Sequence, residues 1–357
     1  MDNLIINHHN LIKNNLFKNI FIDLDNNNKD KLNSLHKIKN IVAIMAEISL
    51  HKNSFYYTYT KTLPSFDTFI NHPIFVFYNN KNKFEILKEI DINSYNELLS
   101  SKIYIDDVFN ILKNNNILNH EVFDNEKNIF DLFLYSFLLI TTRSWGNGII
   151  PFLDNFNHTQ YSNISLSKDD KGSYLNYHSL ENENNNEDFE IFVNYNINDT
   201  NKYFLFYNFI EEKNSIHINI DLHGEENEIT KIIFNEVKKI QEQLKNNIYI
   251  SDNFISKPLE NISKIICLNY NELQSYLQST DKNKYLENYK NEYSNEILKS
   301  LILNIILIKF DSQTMSKTNN FIKEYNNLNI KNKTVISDII YNIALIKTNN
   351  LKVLKSI

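Results

Sequence analysis

One cysteine, Cys267, stands among 357 residues. That excludes a disulfide framework or a four-cysteine zinc site within the chain, and it gives Cys267 the expected place of a buried apolar residue. Glycine and proline are almost as scarce, at four each. No glycine precedes Gly146, so the long N-terminal part has nowhere for a backbone to lie as close to a ligand as only glycine permits. There is no basic excess. The net charge is -6, which argues against binding the backbone of a nucleic acid. Long apolar runs are also missing. The longest, Leu132–Ile140 and Leu301–Ile308, fall far short of the roughly 20 residues that span a bilayer. Met1 to Asn15 is polar and lacks an apolar secretory segment. These absences predict a protein with no membrane and no nucleic-acid partner, soluble and cytoplasmic, the nucleus being the second candidate. Matches to Asn-x-Ser/Thr, such as Asn157-His-Thr, then read as chance in an Asn-rich chain.

Aromatic and aliphatic residues are plentiful. Hydrophobic residues make up 42%, with 24 Phe and 21 Tyr, enough for a substantial core and for about two domains. The abundance of Asn, Lys and Ile resembles nucleotide bias, so pattern counts for more than propensity. Ile20-Phe-Ile-Asp-Leu predicts one strand. Ile38, Ile41, Val42, Met45 and Ile48 recur at the spacing of an amphipathic helix. An aromatic stretch, Phe55-Tyr-Tyr-Thr-Tyr, runs on to Leu63-Pro64, and helical patterns follow in 66–76, 84–100 and 104–114. Residues 129–142 are apolar nearly all round and predict a buried helix with Arg143 at its C-terminal end. Ile149–Leu153 predicts a short strand. In Glu190–Tyr195, alternation puts Ile191, Val193 and Tyr195 on one face, and Ile216, Ile218, Ile220 and Leu222 alternate in the same way. Residues 181–188 form an acidic, Asn-rich loop. Beyond Gly224 the period becomes helical: Ile229, Ile233, Val237, Ile240 and Leu244, then patterns over 259–278, 283–309, 315–326 and 335–347. The fold class is α+β, with a wholly helical last third and no repeat at a fixed period.

Four segments carry chemistry. They are Arg143-Ser-Trp, Ile149-Ile-Pro-Phe-Leu-Asp-Asn-Phe-Asn-His158, Glu190-Ile-Phe-Val-Asn-Tyr195 and Tyr207-Asn-Phe-Ile-Glu211. In this order and spacing they resemble the C-terminal half of a SET domain of the Rubisco large-subunit lysine methyltransferase class, which includes the actin-histidine methyltransferases. The resemblance implies a SET-domain β-fold with an inserted helical subdomain, followed by an all-helical domain that docks the protein substrate. It divides the chain into an N-terminal segment, 1–35, a helical insert, 36–142, a C-terminal SET core, 143–223, and the substrate-binding domain, 224–357. It also implies S-adenosylmethionine as cofactor and a lysine side chain of a protein as substrate, with histidine as an alternative.

Methyl transfer from a sulfonium needs a neutral amine aligned with the leaving sulfur, whereas a free lysine has a pKa near 10.4. Desolvating aromatic walls and an oriented tyrosine hydroxyl meet that need. By resemblance Tyr195 holds the catalytic tyrosine position and Tyr207 the tyrosine of the family's Tyr-Gly-Phe turn, with Phe209 closing that turn beside the cofactor. Asn157 and His158 match the pair that holds the cofactor's adenine and amino-acid portions, and Arg143 matches the arginine that meets its carboxylate. Each has a plainer reading: core aromatics for the tyrosines, a turn organiser for His158, a helix-end charge facing the dipole for Arg143. No second His or carboxylate lies at ligand spacing, so no metal is expected.

The chain also departs from the family. Asn196 and Asn208 stand where the family has glycine, and asparagine is the non-glycine residue that best takes positive φ. Asp188-Phe189 replaces a Gly-Glu, and the Gly-x-Gly strand that opens SET domains has no counterpart. These departures predict weak binding of S-adenosylmethionine. They keep open a second class of function, a catalytically degenerate SET fold acting as a protein-binding module.

Overall fold

A computed structural model describes residues 32–357 apart from 125, 145–147, 152, 160–163, 170–171, 178–191, 196, 198, 212–213, 221, 223–226, 245–246 and 253. The predicted strand at Ile20, the acidic loop 181–188, Trp145, Gly146, Asn196 and Gly224 lie outside the described residues. The chain forms two compact units. One takes in residues up to Asn79 together with Glu97–Tyr195, the other Asn80–Asn96 together with Asn196–Ile357.

In the first unit, helix α1, Leu32–Ser49, packs on a later helix, Ile129–Arg143. Ile38, Ile41, Val42 and Met45 are buried as their spacing predicts. So are Lys39, Asn40, Ala43, Ala46 and Glu47, and α1 is therefore embedded on most sides rather than amphipathic. Two alanines let neighbouring elements close on the remaining faces. The Glu47 carboxylate takes a hydrogen bond from Ser54 Oγ, and burial raises its pKa. Short helices follow: α2, Tyr57–Thr60, and α3, Pro73–Asn80, while α4, Leu87–Ile90, belongs to the second unit. Ile92–Asn114 is one continuous helix, α5, where the pattern suggests two. No Gly or Pro interrupts it, and the Lys102–Asp106 pair at 2.6 Å joins neighbouring turns at i,i+4. The helix Ile129–Arg143 is α6, capped by Asn128, whose side chain accepts from Asp131 N. Residues Leu132–Leu134 and Ser136–Ile140 are buried, as an all-round apolar helix requires.

The strands of this unit are short. β1, Asn157–His158, pairs in parallel with β4, Phe192–Val193, while β2, Ile164–Asp169, and β3, Gly172–Tyr177, form an antiparallel hairpin. The sequence pattern predicts no strand where that hairpin lies. Of the strand expected over 149–153, the described residues show only a β-bridge at Ile149, and a 3-10 turn follows at Leu153–Asn155, with Asp154 N bonded to Ile150 O at 3.2 Å. Pro151 has no N–H to give to a ladder, which favours the turn.

In the second unit, α7, Thr200–Tyr207, leads to a three-stranded antiparallel sheet of β5, Ser215–His217, β6, Tyr249–Ser251, and β7, Phe254–Ile255. Ile216, Ile218 and Ile220 are buried in alternation, and Ile218 N extends the pairing to Ile248 O at 2.8 Å. The last third is therefore not wholly helical, because β6 and β7 come from it. Strands of two or three residues are too short to leave a period in a sequence.

Around the sheet lie α8, Glu228–Gln243, α9, Lys257–Ile266, α10, Tyr270–Gln278, α11, Lys282–Asn288, α12, Tyr293–Lys309, α13, Ser312–Asn327, and α14, Val335–Lys355. The pattern over 259–278 is two helices because Asn269 and Glu272 form a capping box that starts a new one. Cys267 caps the helix before it and is half-buried rather than fully enclosed. Among the described residues no helix is long and apolar enough to cross a membrane.

His217 makes this sheet sensitive to acid. Burial, then the nearby Lys202 and Lys309, bring its pKa down to about 4, and its Nδ1 is buried without a described partner. The imidazole is neutral in both states above the ordinary value of 6.5. Below it the unfolded chain takes up a proton that the folded chain refuses until about 4, so stability drops as pH falls through that window. Discounted for partial exposure, the loss is about 1–2 kcal/mol. Urea unfolding at pH 7 and pH 4.5 should show it, and His217→Gln should flatten that part of the profile. An equally steep profile in the variant would assign the acid sensitivity to other groups.

Candidate functional site

Asp154 is the centre of a hydrogen-bonded cluster in the first unit. Its side chain is fully buried beneath the 3-10 turn that carries it. One oxygen, Oδ2, accepts from Arg143 Nη1 at 2.9 Å and from the Tyr59 hydroxyl at 2.6 Å. The other, Oδ1, is buried with no partner among the described residues. Arg143 emerges from the last turn of α6 and gives the same Nη1 to the Asp154 backbone carbonyl at 3.3 Å and to Asn155 Oδ1 at 2.8 Å. Its Nε and Nη2 have no hydrogen bond among the described residues, and its side chain is 21% exposed. Arg143 is therefore more than a helix-end charge. One corner of its guanidinium is tied into the turn that precedes Asn157 and His158.

The tyrosines around this cluster are protonated donors. Burial, then the hydrogen bond from its hydroxyl to Asp154, raise the pKa of Tyr59 far above the ordinary phenol range. Burial also pushes Tyr135 up to about 12. The Tyr135 hydroxyl donates to the Pro64 carbonyl at 2.6 Å and so ties α6 to the Leu63-Pro64 end of the aromatic stretch.

His158 and Tyr195 meet across the β1–β4 pair. Tyr195 N donates to His158 Nδ1 at 3.1 Å, which makes Nδ1 the acceptor nitrogen. The two rings lie 5.0 Å apart between centroids, and Thr159 N bonds to Val193 O at 3.1 Å just beyond. The Tyr195 hydroxyl donates to the Phe156 backbone carbonyl at 2.9 Å. Burial raises its pKa, with Arg143 lowering and Asp154 raising it further. Arg143, Asn157, His158 and Tyr195 thus belong to one strand-and-turn assembly.

Tyr207 and Phe209 belong to the second unit. There they form an aromatic cluster with Tyr203, at ring separations of 6.2 Å between Tyr203 and Tyr207 and 5.3 Å between Tyr203 and Phe209. Asn208 caps α7 at φ 60°, a left-handed conformation that asparagine tolerates better than most residues. The positive φ expected of asparagine at this turn is present. Sequence reading singled out neither Asp154 nor Tyr59. Asp154 stood inside a quoted segment, whereas nothing in Tyr59's surroundings pointed to a partner 95 residues away. Among the described residues no group of three His, Cys, Asp or Glu side chains could hold a metal ion.

No protein-family model matches this chain, and no characterised protein matches its sequence. Among solved structures it is similar to the SET domain of LSMT bound to methyllysine and AdoHcy, with 15% identity and a TM-score of 0.49, over 90% of this chain and 74% of that one. It is likewise similar to Rubisco LSMT bound to AdoMet, again with 15% identity and a TM-score of 0.49, and to Rubisco LSMT bound to sinefungin and monomethyllysine, with 14% identity and a TM-score of 0.46 over 88% of this chain and 74% of that one.

Proposed function

We propose that this chain is a SET-type protein methyltransferase that uses S-adenosylmethionine and acts on a lysine side chain of a protein. The observation that carries the reading is Arg143. Three acceptors hold its Nη1 corner, and its Nε and Nη2 have no described partner. A planar cation held at one corner suits a carboxylate, which it can meet with two parallel hydrogen bonds. The orphan Asp154 Oδ1 is the kind of buried acceptor that a bound ammonium or water satisfies. The amino-acid end of S-adenosylmethionine fits this donor set.

Bound there, the cofactor supplies an electrophilic methyl group. Transfer would join the amine nitrogen to the methyl carbon as the carbon–sulfur bond broke, with its electron pair left on sulfur. The amine's surplus proton leaves to solvent. On this reading Arg143 binds the carboxylate, and Asn157 and His158 hold the adenine and amino-acid portions. Tyr195 orients the incoming amine with a hydroxyl that burial keeps protonated. The roles of Tyr207 and Phe209, and the docking of substrate by the segment after residue 224, rest on the sequence resemblance.

One observation favours the degenerate alternative. The Tyr195 hydroxyl is spent on the Phe156 carbonyl, and a catalytic role requires it to turn to substrate. The test is incubation of the purified chain with methyl-labelled S-adenosylmethionine and a protein extract, followed by acid hydrolysis. Label in methyllysine is the expected result. Label in methylhistidine alone would replace lysine with histidine. No transferred label, with no binding of S-adenosylmethionine in calorimetry carried to millimolar ligand, would leave the protein-binding module as the function.

A further inference from the structure

Arginine occurs once in this protein. Of 37 basic residues, Arg143 alone is not lysine. A composition that uses lysine nearly everywhere keeps arginine at one position, where Nη1 serves three acceptors. A lysine ammonium is a point charge on a flexible stem and cannot hold a plane in this way.

The plane is only as fixed as its main anchor, the Asp154 carboxylate. That group has two described donors. One is Arg143 itself, and the other is Tyr59, 3% exposed on the short helix α2, which packs on α1. We propose that Tyr59 is a positioning residue of the cofactor site: its hydroxyl pins the Asp154 carboxylate, which holds the Arg143 guanidinium in the orientation that receives a ligand carboxylate. The proposal rests on the reading of Arg143 as the carboxylate-binding residue and extends it to a part of the chain that touches no ligand.

The geometry supports this role over simple packing. The bonds from Tyr59 at 2.6 Å and from Arg143 at 2.9 Å each have the length of a charge-assisted bond for their donor, and both converge on the same oxygen. Without the hydroxyl, Oδ2 keeps only the arginine and the carboxylate can rotate, so that Arg143 loses a fixed partner rather than its charge. A phenol raised in pKa by burial and by its acceptor stays a donor throughout the working pH range.

Tyr59→Phe keeps the ring and removes the hydroxyl, so it is the variant to make in the full chain. Two probes separate positioning from structure. S-adenosylhomocysteine carries the amino-acid carboxylate, and 5′-methylthioadenosine has the same nucleoside without it. Titration calorimetry should show the variant binding S-adenosylhomocysteine roughly tenfold more weakly and methylthioadenosine unchanged. In an Arg143→Lys background, Tyr59→Phe should produce no further loss. Equal weakening of both ligands would make Tyr59 a general structural residue, and no weakening of either would remove it from the site.

A second measurement needs no ligand. Phenylglyoxal modifies arginine, and this chain offers it one target. Tyr59→Phe should speed modification of Arg143 severalfold, because a loosened guanidinium samples more orientations. An unchanged rate overturns the positioning role even if the wild-type chain binds neither nucleoside. That absence of binding would itself count against the methyltransferase reading alone.

Discussion

Tyr195→Phe should lose methyl transfer by about a hundredfold or more, since an oriented hydroxyl donor in an active site is worth roughly 2.7–4 kcal/mol of transition-state stabilisation. The structure says how little else should change. The hydroxyl donates to the Phe156 carbonyl at 2.9 Å, and the backbone N–H to His158 Nδ1 does not depend on it. Losing one neutral hydrogen bond costs about 1 kcal/mol. The ring, 5.0 Å from that of His158, stays in place. The variant should therefore melt within a few degrees of the parent and bind S-adenosylhomocysteine with the parent's affinity. Rate, melting temperature and calorimetry on a confirmed substrate measure all three. Undiminished transfer would remove Tyr195 from the mechanism. A large drop in melting temperature would make its hydroxyl a structural group.

Truncation after residue 223 should have a larger effect still, on folding. A domain boundary there looks natural in the sequence, where alternation gives way to helical periods. In the structure it separates β5 from β6, whose register pairs Ser215 with Ser251 and His217 with Tyr249. It also removes every buried member of the second unit's main core cluster except Ile216, Ile218 and Ile220. Each large apolar side chain stripped of its neighbours forfeits about 2–5 kcal/mol, against a total stability of roughly 5–15 kcal/mol for a whole domain. The shortened chain should aggregate or bind the dye ANS strongly, and its remaining strand should lose hydrogen-exchange protection. A soluble, cooperatively folding product would mean that residues 224–357 form a separate domain after all. A truncation meant to test substrate docking is better placed elsewhere, because this one tests the core first.

Helices were legible in the sequence because each writes its own period and its own ends. Ile129–Arg143 is apolar all round and is buried, whereas the break inside 259–278 was missed because apolar periodicity runs on across the Asn269–Glu272 capping box. Ile216, Ile218 and Ile220 alternate and are buried accordingly. The short elements were not legible. Two-residue strands at Asn157–His158, Phe192–Val193 and Phe254–Ile255 are too brief to show a period. The hairpin at 164–177 is written in Ser, Lys, Asn and Tyr rather than in aliphatic alternation. Ile149–Leu153 looked like a strand because its apolar run hides the effect of Pro151.

For the candidate site the division falls in the same way. Arg143, Asn157, His158 and Tyr195 stood out because they sit in short segments whose order and spacing are themselves a signal. From sequence alone, Arg143 had to end the buried helix and Tyr195 had to lie on one face of a strand over Glu190–Tyr195, whereas the described strand is Phe192–Val193 and Tyr195 follows it. The tertiary structure alone decided what each side chain holds: Tyr59 reaching Asp154 at a separation of 95 residues, Arg143 spending one corner on that same carboxylate, and Tyr195 giving its hydroxyl to Phe156. Periodicity reads neighbours along one element. A hydrogen bond between distant residues depends on the path of the backbone between them, and that path is set by packing rather than by either residue.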